Sequence, residues 1–149
     1  MASKLNLIEI MNVSPSCGCH KVNGLYVLDE DVWIDFKLVD VKFRVKVDKG
    51  AMTDGLSVPK IFRWYLPDWD ESNPAYNIAG IVHDGCYGSE VLCKEMADQL
   101  FYNALLFAHI KPSKASVALW AVEHLAGLHY GSGHDDFGIS EYVSITAIQ

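Results

Sequence analysis

The hydrophobic pattern of this chain changes period once, and that change limits the folds open to it. From Leu5 to Val13, from Gly24 to Val39 and from Val41 to Val47 the apolar residues nearly alternate and are rich in Val, Ile, Tyr and Trp, which is the two-residue period of half-buried strands. After Pro74 they return at intervals of three and four, the period of amphipathic helices. Strands first and helices afterwards predict an α+β fold: a small N-terminal antiparallel sheet, then three packed helices and a C-terminal strand. At 149 residues the chain fits one domain, 1–149, large enough to bury roughly 70% of its unfolded surface without cross-links.

Local signals place the boundaries. Asp29-Glu30-Asp31 predicts a hairpin turn between Leu25–Leu28 and Val32–Phe36, and Asp40 a break before the next strand. Residues 48 to 74 hold Gly50, Gly55, Pro59, Pro67 and Pro74 among Asp and Ser, so loops are expected, with one helical turn from Pro59 to Tyr65. Phe62, Trp64, Tyr65 and Trp69 make this stretch too aromatic for a solvent loop, and it is expected to pack over the core. The first helix is expected from Pro74 to Tyr87 with Asn73 as N-cap. A second spans Val91 to His109 and a third Ser113 to Leu128, the latter with Val117, Trp120, Ala121, His124 and Leu125 on one face. His124 is then expected in the core. The tail from Ile139 to Ile148 reads as the last strand.

Composition excludes several functions. The net charge of −7 argues against nucleic acid, whose binding needs a basic surface to displace counterions. Lys42, Arg44, Lys46 and Lys49 form the one notable basic run. A solvated strand edge accounts for it, with contact to a phosphate or an acidic partner surface as the alternative. No apolar stretch reaches membrane-spanning length, and Met1 to Lys4 does not lead into a signal-peptide core, so a soluble chain not exported by that route is expected. Four cysteines are too few for a disulfide scaffold and are expected reduced. Cys17-Gly18-Cys19-His20 lacks the second cluster a structural zinc site needs and reads as a surface turn, while Cys86 and Cys93 read as small buried hydrophobes.

The chemistry concentrates in Val82-His83-Asp84-Gly85-Cys86-Tyr87, followed by Asp98. On a helix, His83 and Asp84 point about 100° apart and serve different partners. Asp98 on the next helix would orient the His83 imidazole, leaving the other ring nitrogen to take a proton from water, as a general base requires. Asp98 lies among Met96, Leu100 and Phe101, and a buried carboxylate needs a partner, for which His83 and Lys94 are the candidates. A purely structural His83–Asp98 lock between helices explains the same residues. In Thr53-Asp54-Gly55-Leu56-Ser57, the polar residues Thr53, Asp54 and Ser57 form either a turn or part of the site. Asp54 and Asp84 together with His83 would suit a divalent cation, calcium or zinc, with open water positions. His129, His134, Asp135 and Asp136 are expected in an exposed loop.

Three blocks, Met52 to Pro59, Ala79 to Tyr87 and Ala97 to Leu105, resemble the signature blocks of the family defined by domain of unknown function 1353. Lys94 and Glu123 depart from it, each standing where that family's pattern carries arginine. The resemblance, which covers about residues 40 to 128, implies a bacteriophage or prophage protein, made in the host cytoplasm. Its expected roles are a hydrolase acting on a lipid, cell-wall or other ester or amide substrate, or a non-enzymatic virion component (tail, neck or assembly accessory) that meets other phage structural proteins. His83-Asp84-Gly85-Cys86-Tyr87 is also similar to the catalytic helix of secreted phospholipase A2 enzymes. That likeness implies His83 as base, Asp98 as its orienting acid and Asp84 as a calcium ligand, but the calcium loop and the cysteines that staple those helices have no counterpart here.

Overall fold

The computed structural model of the chain describes residues 6–55, 66–124 and 136–149. Its elements, in order, are strands β1 (Ile8–Val13), β2 (Cys19–Val22), β3 (Leu25–Leu28), β4 (Val32–Leu38), β5 (Val41–Val47) and β6 (Met52–Thr53). Helices α1 (Pro74–Ser89), α2 (Lys94–Phe107) and α3 (Pro112–His124) follow, then a 3-10 helix (Asp136–Tyr142) and strand β7 (Val143–Ile148). The architecture is α+β, with an N-terminal antiparallel sheet, three helices and a C-terminal strand.

The strands divide into two sheets, a four-stranded one in the order β1-β4-β5-β7 and a three-stranded one in the order β2-β3-β6. The expected hairpin across Asp29-Glu30-Asp31 is therefore replaced by a crossing from one sheet to the other. Its acidic side chains hold neighbouring segments: Glu30 accepts from Gly18 N at 2.5 Å and Ser16 Oγ at 2.8 Å, and Asp31 accepts from Lys49 N at 2.8 Å. Those bonds turn the chain away from the tight return that a hairpin needs. A tight hairpin does join β2 to β3 at Asn23-Gly24, both with positive φ, the conformation its two-residue turn demands. Cys19 and His20 thus belong to a strand rather than a surface turn.

Alternation on β4 and β5 turns Ile34, Phe36, Val45 and Val47 toward the helices, all essentially buried. The basic row lies on the opposite face of β5, which is interior to its sheet. The expectation of an exposed edge is thereby corrected.

Helix α1 begins as expected, with Asn73 Oδ1 accepting from Tyr76 N at 3.2 Å and Pro74 as first residue. It is buried on nearly every side from Tyr76 to Tyr87, as a helix between a sheet and two other packed elements must be. It contacts β4, β5 and β7 on one side and α2 on the other. Gly85 makes this close approach fit, since a Cβ there would lie 2.7 Å from Val143 Cγ2 and 3.5 Å from Val47 Cγ2.

Helix α3 turns Ala115, Ala118, Ala121 and Val122 inward, leaving Trp120 48% exposed and His124 on the surface. The expected inward face was misassigned because large apolar residues outweighed alanine in the pattern, whereas close helix contact favours the small side chain. Cys86 is buried but Cys93 is exposed at the start of α2. Trp69 packs down as expected, stacked on Tyr26 at 4.0 Å and 9°. Phe62, Trp64, Tyr65, the turn from Pro59 and the end of the third predicted helix lie outside the described residues.

Candidate active site between helices α1 and α2

Residues four apart on a helix share a face, and two such pairs build this centre. His83 and Tyr87 project from α1, Lys94 and Asp98 from α2, and all four meet at the Asp98 carboxylate. His83 Nε2 donates to Asp98 Oδ1 at 2.9 Å, Tyr87 OH to the same oxygen at 2.6 Å, and Lys94 Nζ to Oδ2 at 2.7 Å. Lys94 also donates to the backbone oxygen of Glu123 at 3.3 Å, which ties the end of α3 to the same carboxylate. The His83 ring is flanked by Tyr87, with ring centroids at 4.2 Å, and by Phe101 at 4.6 Å.

Burial raises the pKa of the Asp98 carboxyl, but the hydrogen bonds from His83, Lys94 and Tyr87 outweigh it and hold the group below its usual value. Asp98 is thus a carboxylate at neutral pH, an acceptor with no proton to give. That fixes the tautomer of a neutral His83: the proton sits on Nε2, and Nδ1 carries the lone pair. Among the described residues, Nδ1 has no hydrogen-bond partner. The centre is well sealed, with His83 6% and Asp98 1% exposed. Cys86, three residues on, is no nucleophile at neutral pH because burial pushes its thiol up to about 12.

The remaining candidates are placed differently. Thr53 is buried and pairs with Tyr26 in the small sheet, its Oγ1 accepting from Gly55 N at 3.1 Å, so it serves the turn. Gly55 has φ +95° and lies so close to the Asp68 carbonyl that no Cβ fits. Asp54 is exposed at the surface and Asp84 is half-buried. Among the described residues no three His, Cys, Asp or Glu side chains gather as a metal site would require. The calcium or zinc centre expected from His83, Asp54 and Asp84 is therefore not assembled by those residues: Asp54 is exposed while His83 is buried, and Asp84 leaves α1 about a third of a turn from His83. Ser57, His129, His134 and Asp135 lie outside the described residues, as does the side chain of Asp136. Tyr87 received no role from sequence, although its spacing of four from His83 was the signal.

Fold and site together define an α+β protein organised around a buried histidine–aspartate pair that bridges two helices. The chain belongs to the family described as "Protein of unknown function (DUF1353)", whose model matches residues 31–122. No curated protein and no solved structure matches it. Among the described residues no helix is long and apolar enough to cross a membrane.

Proposed function

We propose that the protein is a hydrolase in which His83 is the general base and Asp98 the group that orients it. The observation that supports this reading is the forced tautomer: an ionised Asp98 holds the proton on Nε2, so the basic lone pair is at Nδ1, where no described residue donates to it. In this reading Nδ1 removes a proton from water as the water oxygen attacks the carbonyl of an ester or amide. Asp98 stabilises the imidazolium that forms, and the imidazolium returns the proton to the leaving oxygen or nitrogen. Tyr87 and Lys94 hold the carboxylate still during these transfers. The substrate class follows from the chemistry only as far as a lipid, cell-wall or other ester or amide.

The seal around the centre favours a second reading, in which His83–Asp98 only locks α1 to α2 within a non-enzymatic phage virion or assembly component. One variant separates the two. His83→Gln keeps a donor for Asp98 while removing the base, so a hydrolase loses turnover of p-nitrophenyl esters, phosphatidylcholine vesicles or peptidoglycan with its Tm lowered by no more than about 3 °C. A lock has no turnover to lose. Absence of activity on all three substrates with the wild-type protein would overturn the hydrolase, and absence from purified particles would overturn the virion component.

A further inference from the structure

The outer N–H and C=O groups of an edge strand invite another strand, and edges are ordinarily blunted by charge, a bulge, shortness or a covering element. Among the described residues three of the four edges are blunted. Strand β2 carries Lys21, and β6 is two residues long. Strand β1 has Glu9 and a register shift between Ile10 and Asn12, and the backbone of Ile8 is filled from outside its sheet: its N–H donates to Asn6 Oδ1 at 3.2 Å and its carbonyl accepts from Asn103 Nδ2 of α2 at 2.8 Å. Strand β7 has none of these devices. Its residues, Val143 to Ile148, carry no charge and no proline, pair with β5 without a register shift, and leave Thr146 and Ala147 exposed.

The phase of the ladder shows what this edge offers. Asp48 N–H donates to the Tyr142 carbonyl at 2.9 Å, in register with the pairing of Val47 and Val143. Hydrogen-bonded and non-bonded pairs alternate along an antiparallel ladder, so Ser144, Thr146 and Ile148 turn their backbone groups to β5, while Val143, Ile145 and Ala147 turn theirs outward. That row is its own complement. With Ile145 set opposite Ile145 of a second, antiparallel copy, Val143 falls opposite Ala147, and every outward N–H meets an outward carbonyl across the two-fold axis. On the helix side this register pairs only apolar side chains, and on the other face it sets Ser144 opposite Thr146, a hydroxyl pair that strands favour. We infer that β7 is the seam of a symmetric dimer in which two four-stranded sheets become continuous. Charge selects a second copy as the occupant: each copy carries −7 and must approach its like where the surface is neutral, as β7 is. The basic rows on the two β5 strands stay three strand spacings apart, about 14 Å, beyond the Debye length of about 8 Å. An edge that reads a foreign strand needs pockets for alternate side chains, and Ser144, Thr146 and Ala147 are too small to wall one.

The short seam makes the dimer weak, with a dissociation constant of about 10–100 μM. Sedimentation equilibrium of the full chain from about 1 to 300 μM, which brackets that constant, should show monomer and dimer and nothing larger, because β1, the other edge of each sheet, is blunted. Amide exchange read by NMR should slow with concentration at Val143, Ile145 and Ala147, whereas Ser144 and Thr146, already bonded to β5, stay protected throughout. Ala147→Pro removes an outward N–H and no bond to β5, so it should weaken the dimer about tenfold or more while the Tm of the monomer stays within about 3 °C of wild type. Thr146→Glu repeats the test without altering the backbone, since the dimer would bring its two new carboxylates to a diagonal separation of about 7–8 Å; this variant decides the matter if Ala147→Pro does not fold. Four results would overturn the proposal: a monomer at the highest concentration, association beyond two copies, exchange at the three outward amides that ignores concentration, or a dimer that Thr146→Glu leaves as tight as wild type.

Discussion

An ionised carboxylate sealed from water is destabilising by several kcal/mol unless its lone pairs are filled, and Asp98 fills them from His83, Tyr87 and Lys94. Removing one donor should be felt in proportion to its charge. Tyr87→Phe is expected to lower stability by about 1.5 kcal/mol and Lys94→Met by about 2–3 kcal/mol, read from urea midpoints. The pH dependence has a definite sign. Because the folded pKa of Asp98 is depressed, its contribution is complete above the ordinary carboxylate value near 3.9 and is lost as pH falls from there toward the folded pKa. Asp98→Asn should thus be less stable than wild type by about 3 kcal/mol at pH 7, with the gap closing only below about pH 4. A gap unchanged at pH 3 would contradict an ionised Asp98. At this scale the sequence was informative where spacing on one helix decides: Lys94 and Asp98 four apart, and a carboxylate in an apolar run that needed a partner. It was silent on the tautomer, which depends on atoms from both helices.

Helix α1 shows why element positions were more legible than element partners. Its start follows from local chemistry, an Asn at the cap and a Pro in the first turn, both read directly from residues 73 and 74. The pairing of β3 and β4 was misread because it depends on where Glu30 and Asp31 find donors, at Gly18 and Lys49, and nothing local to the turn reveals that. The packing of α1 on the sheet carries its own prediction. Gly85→Ala gains about 1 kcal/mol of helix propensity, yet places a methyl group 2.7 Å from Val143 Cγ2. Overpacking of this kind costs about 1–3 kcal/mol, so the net effect should be destabilising, with a lower Tm in a thermal melt. A neutral or raised Tm would mean that α1 sits farther from β7 than described here.

Across the whole molecule, the fold class was legible because a change of period is a property of long segments, while the existence of two sheets was not. Strand β1 pairs with β4, and β5 pairs with β7, with Val47 opposite Val143. These contacts join distant parts of the chain and have no local signature. Their energetic importance is testable by removing residues 143–149, which uncovers one side of β5 and takes Val143 from beneath α1. The shortened chain should lose its cooperative melt by circular dichroism, and retention of a sharp transition would show that β7 is dispensable.

The pairing of Val47 with Val143 also sets a schedule for synthesis. A nascent chain that has reached α3 already holds the histidine, the aspartate and both helices that carry them, but not the strand on which Gly85 rests. Until the ribosome has delivered Val143, α1 can rest on β4 and β5 alone and β5 keeps one open side, so the sheet beneath the helix closes only after translation has passed that point.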